Sequence, residues 1–350
     1  MENKPALVKT IDPQKQRIVW VDFARVLSAF LVVLAHVEGW GSSQHWARIG
    51  YYTVSRAGVP IFMLLSGFLL LSHHDEDMTT FFKKRAGKIV IPLFFWSFAY
   101  DIYLNHELAK TGLTLPAVWN LFLRVFKGPR FGHLWFFYVL VGLYFFTPIL
   151  RLFVAKARRK DILFYIAIWF AMVPGLSILT SFTSFRFGFE FQFATGYIGY
   201  YLLGLLFGQM EITRGRVIWS LVVFIVFSIF TFFIVYWDLW PKMQESTFRS
   251  YLSFNIIFMA LPAFILMRAV GEKIKPSRIL TLVSQASFGI YLMHLLFFHW
   301  MGELWQRLGF DMQAGGQFWM IPIVTVVIFI ISFGVTLVIR KIPILKTVAP

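Results

Sequence analysis

Cysteine is absent from the 350 residues. That excludes disulfides, thiolate metal sites and a cysteine nucleophile, so any covalent intermediate would need another side chain. Charge is scarce as well: 14% of the residues are Asp, Glu, Lys or Arg, against roughly 25% in an ordinary soluble domain. Acids are scarcer still, 17 against 33 Lys and Arg, for a formal charge of +16. No Walker loop, dinucleotide fingerprint or HExxH pair occurs, so nucleotide hydrolysis and zinc proteolysis lack support and no metal is expected. What is abundant is apolar: 58% of the chain is hydrophobic, with 42 Phe and a mean hydropathy of +0.69. A soluble fold of this size is excluded.

The basic excess suggests nucleic-acid binding, but the cations sit in short clusters between long apolar runs, the pattern of a polytopic membrane protein. No nucleic-acid partner is expected; the surrounding partner is membrane lipid. About 20 apolar residues span the hydrocarbon core, and ten segments qualify, near 18–38, 53–72, 89–106, 133–153, 162–179, 191–209, 217–237, 249–269, 280–301 and 318–339. The first is too long for a signal-peptide core and reads as an uncleaved span. The predicted fold is an all-α, polytopic transmembrane helix bundle: a tail at 1–17, a membrane domain at 18–339 and a second tail at 340–350. With both termini cytoplasmic, 22 of the 33 basic residues fall on the inner side, against ten outside and Arg25 within the first span. The positive-inside rule favours that orientation. In the longest outer stretch, WNLFLRVFKGPRFG reads as a short interfacial or re-entrant helix or a plain loop, with Trp119 and Phe122 towards lipid headgroups and Arg124 and Lys127 towards water.

Ionisable groups inside spans are costly and point to function. The first span, IVWVDFARVLSAFLVVLAHVEGW, carries Asp22, Arg25, His36 and Glu38. Eleven residues of helix put Arg25 and His36 within about 20° of one face and about 16.5 Å apart along the axis. Asp22, one turn before Arg25, can partly neutralise it. Snorkelling of Arg25 to the headgroups is the bland alternative. Further candidates are Arg56; Ser66 and Gly67, read as close packing; His133 and Trp135, the latter also suited to an aromatic belt; Glu190, which Arg186 could pair; and Tyr291 with His294, which share a helix face. Gly196, Gly199, Gly204 and Gly208 read as helix contacts.

Arg25, ten intervening residues and His36 after WVDFAR resemble the start of the acyltransferase-3 family of integral membrane acyltransferases. SRAGVPIFMLLSGFLL, FFKKRAGKIVIPLFFW, HLWFFYVLVGLYFFTPIL, GYIGYYLLGLLFG and SFGIYLMH are similar to that family's later blocks, in order and over nearly all ten spans. Within the family the chain looks closest to stand-alone glycan O-acetyltransferases of the enterobacterial common antigen type, in a bacterial cytoplasmic (inner) membrane. The resemblance implies transfer of an acyl group, commonly acetyl from acetyl-CoA, to a hydroxyl of an extracytoplasmic or lipid-linked glycan. Acetyl-CoA is a co-substrate, and no tightly bound cofactor is expected. Lys83, Lys84, Arg85 and Lys88 would meet the donor phosphates, and Arg25 would line the route to His36. His36 is the expected general base, oriented by Glu38 or another acid; an acyl-histidine intermediate is a second route. Arg56, His133 and Tyr291 are unranked candidates for stabilising the oxyanion, and Trp135, Glu190 and His294 for the acceptor side. An exporter without acyl chemistry and an acyltransferase with a non-glycan acceptor remain as alternatives.

Overall fold

The structure, a computed structural model, describes residues 17–40, 46–72, 76–105, 112, 114–184, 188, 196–237, 247–307, 309 and 317–350. Among these there are thirteen α-helices and no strand. They are α1 (Val19–Val37), α2 (Trp46–Ser55), α3 (Gly58–Leu71), α4 (Met78–Tyr100), α5 (Leu115–Lys127), α6 (Trp135–Lys156), α7 (Arg159–Phe170) and α8 (Leu176–Phe182). The remainder are α9 (Ile198–Gln209), α10 (Arg214–Tyr236), α11 (Phe254–Gly271), α12 (Arg278–Arg307) and α13 (Gln317–Lys341).

Eight helical segments among the described residues are long and apolar enough to cross a membrane. The two other segments expected to span are of different kinds. α9 has 12 residues, while α4 has 23 but opens on a basic half containing Lys83, Lys84, Arg85 and Lys88. The expected interfacial stretch forms α5, capped by Thr114, whose hydroxyl accepts the Ala117 amide. Leu121 and Val125 are buried on one side, while Trp119 and Phe126 and the basic Arg124 and Lys127 are exposed.

Helix α1 is the hub and touches α2, α3, α11, α12 and α13. Its polar residues therefore have protein around them, whereas α10 buries only Ser220 and Thr231 and presents its apolar sides outward. The tightest approach is between α3 and α9. A Cβ placed at Gly67 would lie 2.0 Å from the Tyr201 carbonyl oxygen, and one at Gly204 would lie 2.0 Å from that of Leu64. Neither position admits a side chain, which confirms the packing reading of these glycines.

Two local features shape the site. Pro60 supplies no amide to the Arg56 carbonyl one turn earlier, and the helix breaks there into α2 and α3, with Arg56 and Ala57 at the break. After α13 the chain folds back through a 3-10 turn at Leu345–Thr347. The Trp96 indole donates to the Val348 carbonyl at 2.8 Å, and Val348 and Ala349 are buried.

Candidate active site

Three histidines from three helical segments converge. His36 lies in the last turn of α1, His294 lies in α12, and His133 sits in the 3-10 turn Gly132–Leu134 that leads into α6. The His36 and His294 rings are 4.8 Å apart between centroids, His133 and His294 5.5 Å, and His36 and His133 6.5 Å. Backbone carbonyls decide the tautomers, because a carbonyl can only accept. His294 Nδ1 lies 2.6 Å from the Tyr291 carbonyl and therefore carries the proton, which leaves its Nε2 bare. His36 Nδ1 lies 2.8 Å from the Val32 carbonyl and 3.2 Å from His294 Nε2, and both of those neighbours accept. The His36 proton is thus on Nδ1, and its lone pair is on Nε2, the arrangement a general base needs.

His133 is different. Its side chain is buried and neither ring nitrogen has a hydrogen-bond partner, although a neutral imidazole always carries one N–H. Its backbone carbonyl accepts the Tyr291 hydroxyl, so Tyr291 holds the turn in place rather than offering a free donor.

Glu38 does not orient the imidazole. Two residues on from His36 it points elsewhere and forms an ion pair with Arg48 at 3.0 Å; the Val32 carbonyl and His294 hold His36 instead. Asp22 partly neutralises Arg25 through its charge alone, without a direct ion pair. Its carboxylate accepts from Arg17 at 2.5 Å and from Ser284 at 2.6 Å.

Two cavities flank this cluster. One, of about 420 Å3, is lined at one end by Arg25, Lys88, Arg340 and Pro350, and reaches Val32, Phe136 and Tyr291. Val32 is the residue whose carbonyl holds His36, so this space reaches the helical turn that holds the histidine. Its lining includes no Asp or Glu. Of the expected donor cluster, Lys88 lines it, whereas Lys84 and Arg85 bond Glu76 at 3.0 and 2.8 Å and Lys83 is exposed. Burial works to raise the Glu76 pKa, but the hydrogen bonds from Arg85 and Lys84 outweigh it and hold the carboxyl below its ordinary range. Arg340 was legible in sequence only as a topogenic charge, and Ser284, Gln285 and Ser287 carried no signal at all; the fold assembles them around Arg25.

The second cavity, of about 620 Å3, lies at the Glu38 end and is lined by Glu38, Arg48, Tyr52, Arg56, Trp135, Tyr197, Arg249, Ser250 and Tyr251. The break before Pro60 places Arg56 here, with its guanidinium 4.1 Å from the centre of the Tyr52 ring and 5.1 Å from that of Tyr251. Trp135 stacks on Tyr251 at 5.7 Å and 23°, so its contacts are cavity walls as well as a belt position. Glu190 lies outside the described residues. Among the described residues no cluster of three or more His, Asp or Glu could hold a metal ion.

No curated protein and no solved structure matches the chain. The acyltransferase-3 family model, described as an acyltransferase domain, matches residues 18–341, and the chain belongs to that family of membrane acyltransferases.

Proposed function

We propose that this protein is an O-acetyltransferase of a bacterial cytoplasmic membrane, moving acetyl from cytoplasmic acetyl-CoA to a hydroxyl of an extracytoplasmic or lipid-linked glycan, with ten spans and both termini cytoplasmic. The observation that supports it best is His36, its Nε2 lone pair fixed by two acceptors, with Val32, whose carbonyl holds it, in the wall of a basic cavity and Glu38, two residues on, in the wall of an aromatic one. A CoA phosphate cannot cross lipid, and Arg25, Lys88 and Arg340 supply charge-assisted donors where it would stop. The thioester arm runs along the first cavity towards Val32 and Tyr291.

The acceptor hydroxyl enters from the Glu38 end. Its oxygen attacks the thioester carbonyl as its proton passes to His36 Nε2. The negative charge that develops on the carbonyl oxygen takes the buried His133 N–H, a donor with no other partner. Collapse breaks the C–S bond, and the imidazolium proton leaves with the thiolate. Protein in lipid nanodiscs, supplied with radiolabelled acetyl-CoA and a saccharide acceptor, tests this directly. Label should pass to the saccharide in wild type and not in His36→Ala; neither hydrolysis nor transfer by wild type would leave the exporter reading. Orientation has its own test, since no native cysteine interferes. A Lys84→Cys label reached only from outside would overturn it.

A further inference from the structure

The cavity at the Glu38 end holds more than a lone hydroxyl requires. Arg56 Nε and Tyr52 Oη are each buried and neither makes a hydrogen bond, and both residues line the same space, whereas Glu38 Oε2 in the same wall has Arg48 Nε at 3.0 Å. Buried polar atoms nearly always find partners, so two unmet ones around one cavity mark it as built for a polar occupant. They also differ in kind: a cationic donor and a hydroxyl that can both donate and accept. A neutral polyol could hydrogen-bond both, but only an anion also answers the charge of the arginine.

The acid of the cavity is already committed, since Glu38 pairs with Arg48, and Arg56 forms no ion pair with a described carboxylate. Stacking between Tyr52 and Tyr251 holds the guanidinium by cation–π attraction and leaves the planar fork that suits carboxylate and phosphate oxygens. Trp135, with Tyr197 and Tyr251 beside it at 5.6 and 5.7 Å, adds broad aromatic surface for the apolar face of a sugar ring.

We propose that this cavity selects a saccharide acceptor carrying an acidic group, a carboxylate or a phosphate, and that Arg56 binds that group. The proposal rests on the reading of His36 as a transfer centre and names the acceptor that centre serves. It leaves Glu38 and Tyr52 to the hydroxyls, and makes Arg56 a specificity residue for acceptor.

The test is calorimetric binding to the full chain in nanodiscs at low salt, where charge recognition is least screened. The probes are hyaluronan tetrasaccharide, its carboxyl-reduced counterpart, glucose 6-phosphate and glucose. Wild type should bind the carboxylated or the phosphorylated probe about tenfold or more tightly than its neutral partner, the gain of one charged hydrogen-bonded contact. Which acid wins tells the two sources apart. Arg56→Gln should bring that ratio to within about twofold. Glu38→Gln removes an opposing charge and should tighten the acidic probe, so the proposal stays testable if the arginine variant does not fold. Equal binding of acidic and neutral probes by wild type, no binding of either acid, a preference that survives Arg56→Gln, or weaker acid binding by Glu38→Gln would each overturn it. Acetyl-CoA turnover on the same samples separates the two readings. Acid-selective binding without turnover supports this inference and sinks the transfer; turnover with charge-blind binding does the reverse.

Discussion

The two cavities beside the histidines are both basic, yet they use arginine differently. At one, Arg25, Lys88 and Arg340 line the wall with no Asp or Glu among them. At the other, Arg48 is tied to Glu38, and Arg56 is flattened between tyrosine rings. Bare cations without acids make a long-range attractor for a multiply charged phosphate ester. Cations stacked on aromatics and interleaved with an acid make a short-range template for one group at one place. The difference teaches that a basic lining is informative only together with what holds each cation.

The largest test of the comparison removes the imidazole proposed to act between the two spaces. His36→Ala should lower kcat by about 10²–10⁴-fold while donor and acceptor binding persist, read by single-turnover assay and calorimetry. Loss of either binding alone would put His36 inside a cavity rather than between them. Next, Lys88→Ala and Arg340→Ala should each raise the KM for acetyl-CoA by about tenfold or more and leave the acceptor KM in place. Equal movement of both constants would erase the distinction between the cavities. His294→Ala should follow, lowering kcat by about tenfold through loss of one neutral hydrogen bond that orients His36. His294→Gln keeps an acceptor and should recover part of that loss, an outcome that a purely structural histidine would not give.

The smaller effects lie outside both cavities. Because Lys84 and Arg85 bond Glu76, replacing both should change the donor KM by no more than about twofold, the scale of a screened charge at a distance. Glu76 has a folded pKa below its ordinary value of 4.5. Its contribution to stability is therefore present above that value and lost as pH falls through the folded one. Wild type should lose about 2 °C more of its melting temperature than Glu76→Gln on acidification through that window.

Sequence reached some of this arrangement and not the rest, for reasons that can be named. The Arg25–His36 spacing follows from helical geometry alone, and the helix does carry Arg25 on the cavity wall and His36 at its head. Gly67 and Gly204 were legible because only backbone contact excludes a Cβ. By contrast, His36 and His294 touch across 258 positions, and no local pattern encodes that. Glu38 read as a partner for His36 because the two are near in sequence; a helix turns such neighbours apart, and Arg48 waits on the other side. The count of spans is similarly mixed. Eight segments declare themselves by length and apolarity, while α9 is short and α4 half basic, properties that a hydropathy window averages away.

The way His36 is held has one more consequence. Its Nδ1 proton rests against a backbone carbonyl and a second imidazole, and no described carboxylate contacts the three rings. In hydrolases with an acid behind the histidine, an imidazolium can persist between steps. Among the described residues no acid stores that charge, so under the proposed mechanism each proton taken from an alcohol must leave again before the next substrate arrives. The departing group therefore governs whether the cycle closes. A thiolate is expelled readily and takes the proton as it leaves, whereas the far more basic oxygen or nitrogen of an oxyester or amide analogue of the donor is expelled poorly, so such analogues should bind and stall and serve as slow ligands suited to trapping the loaded state.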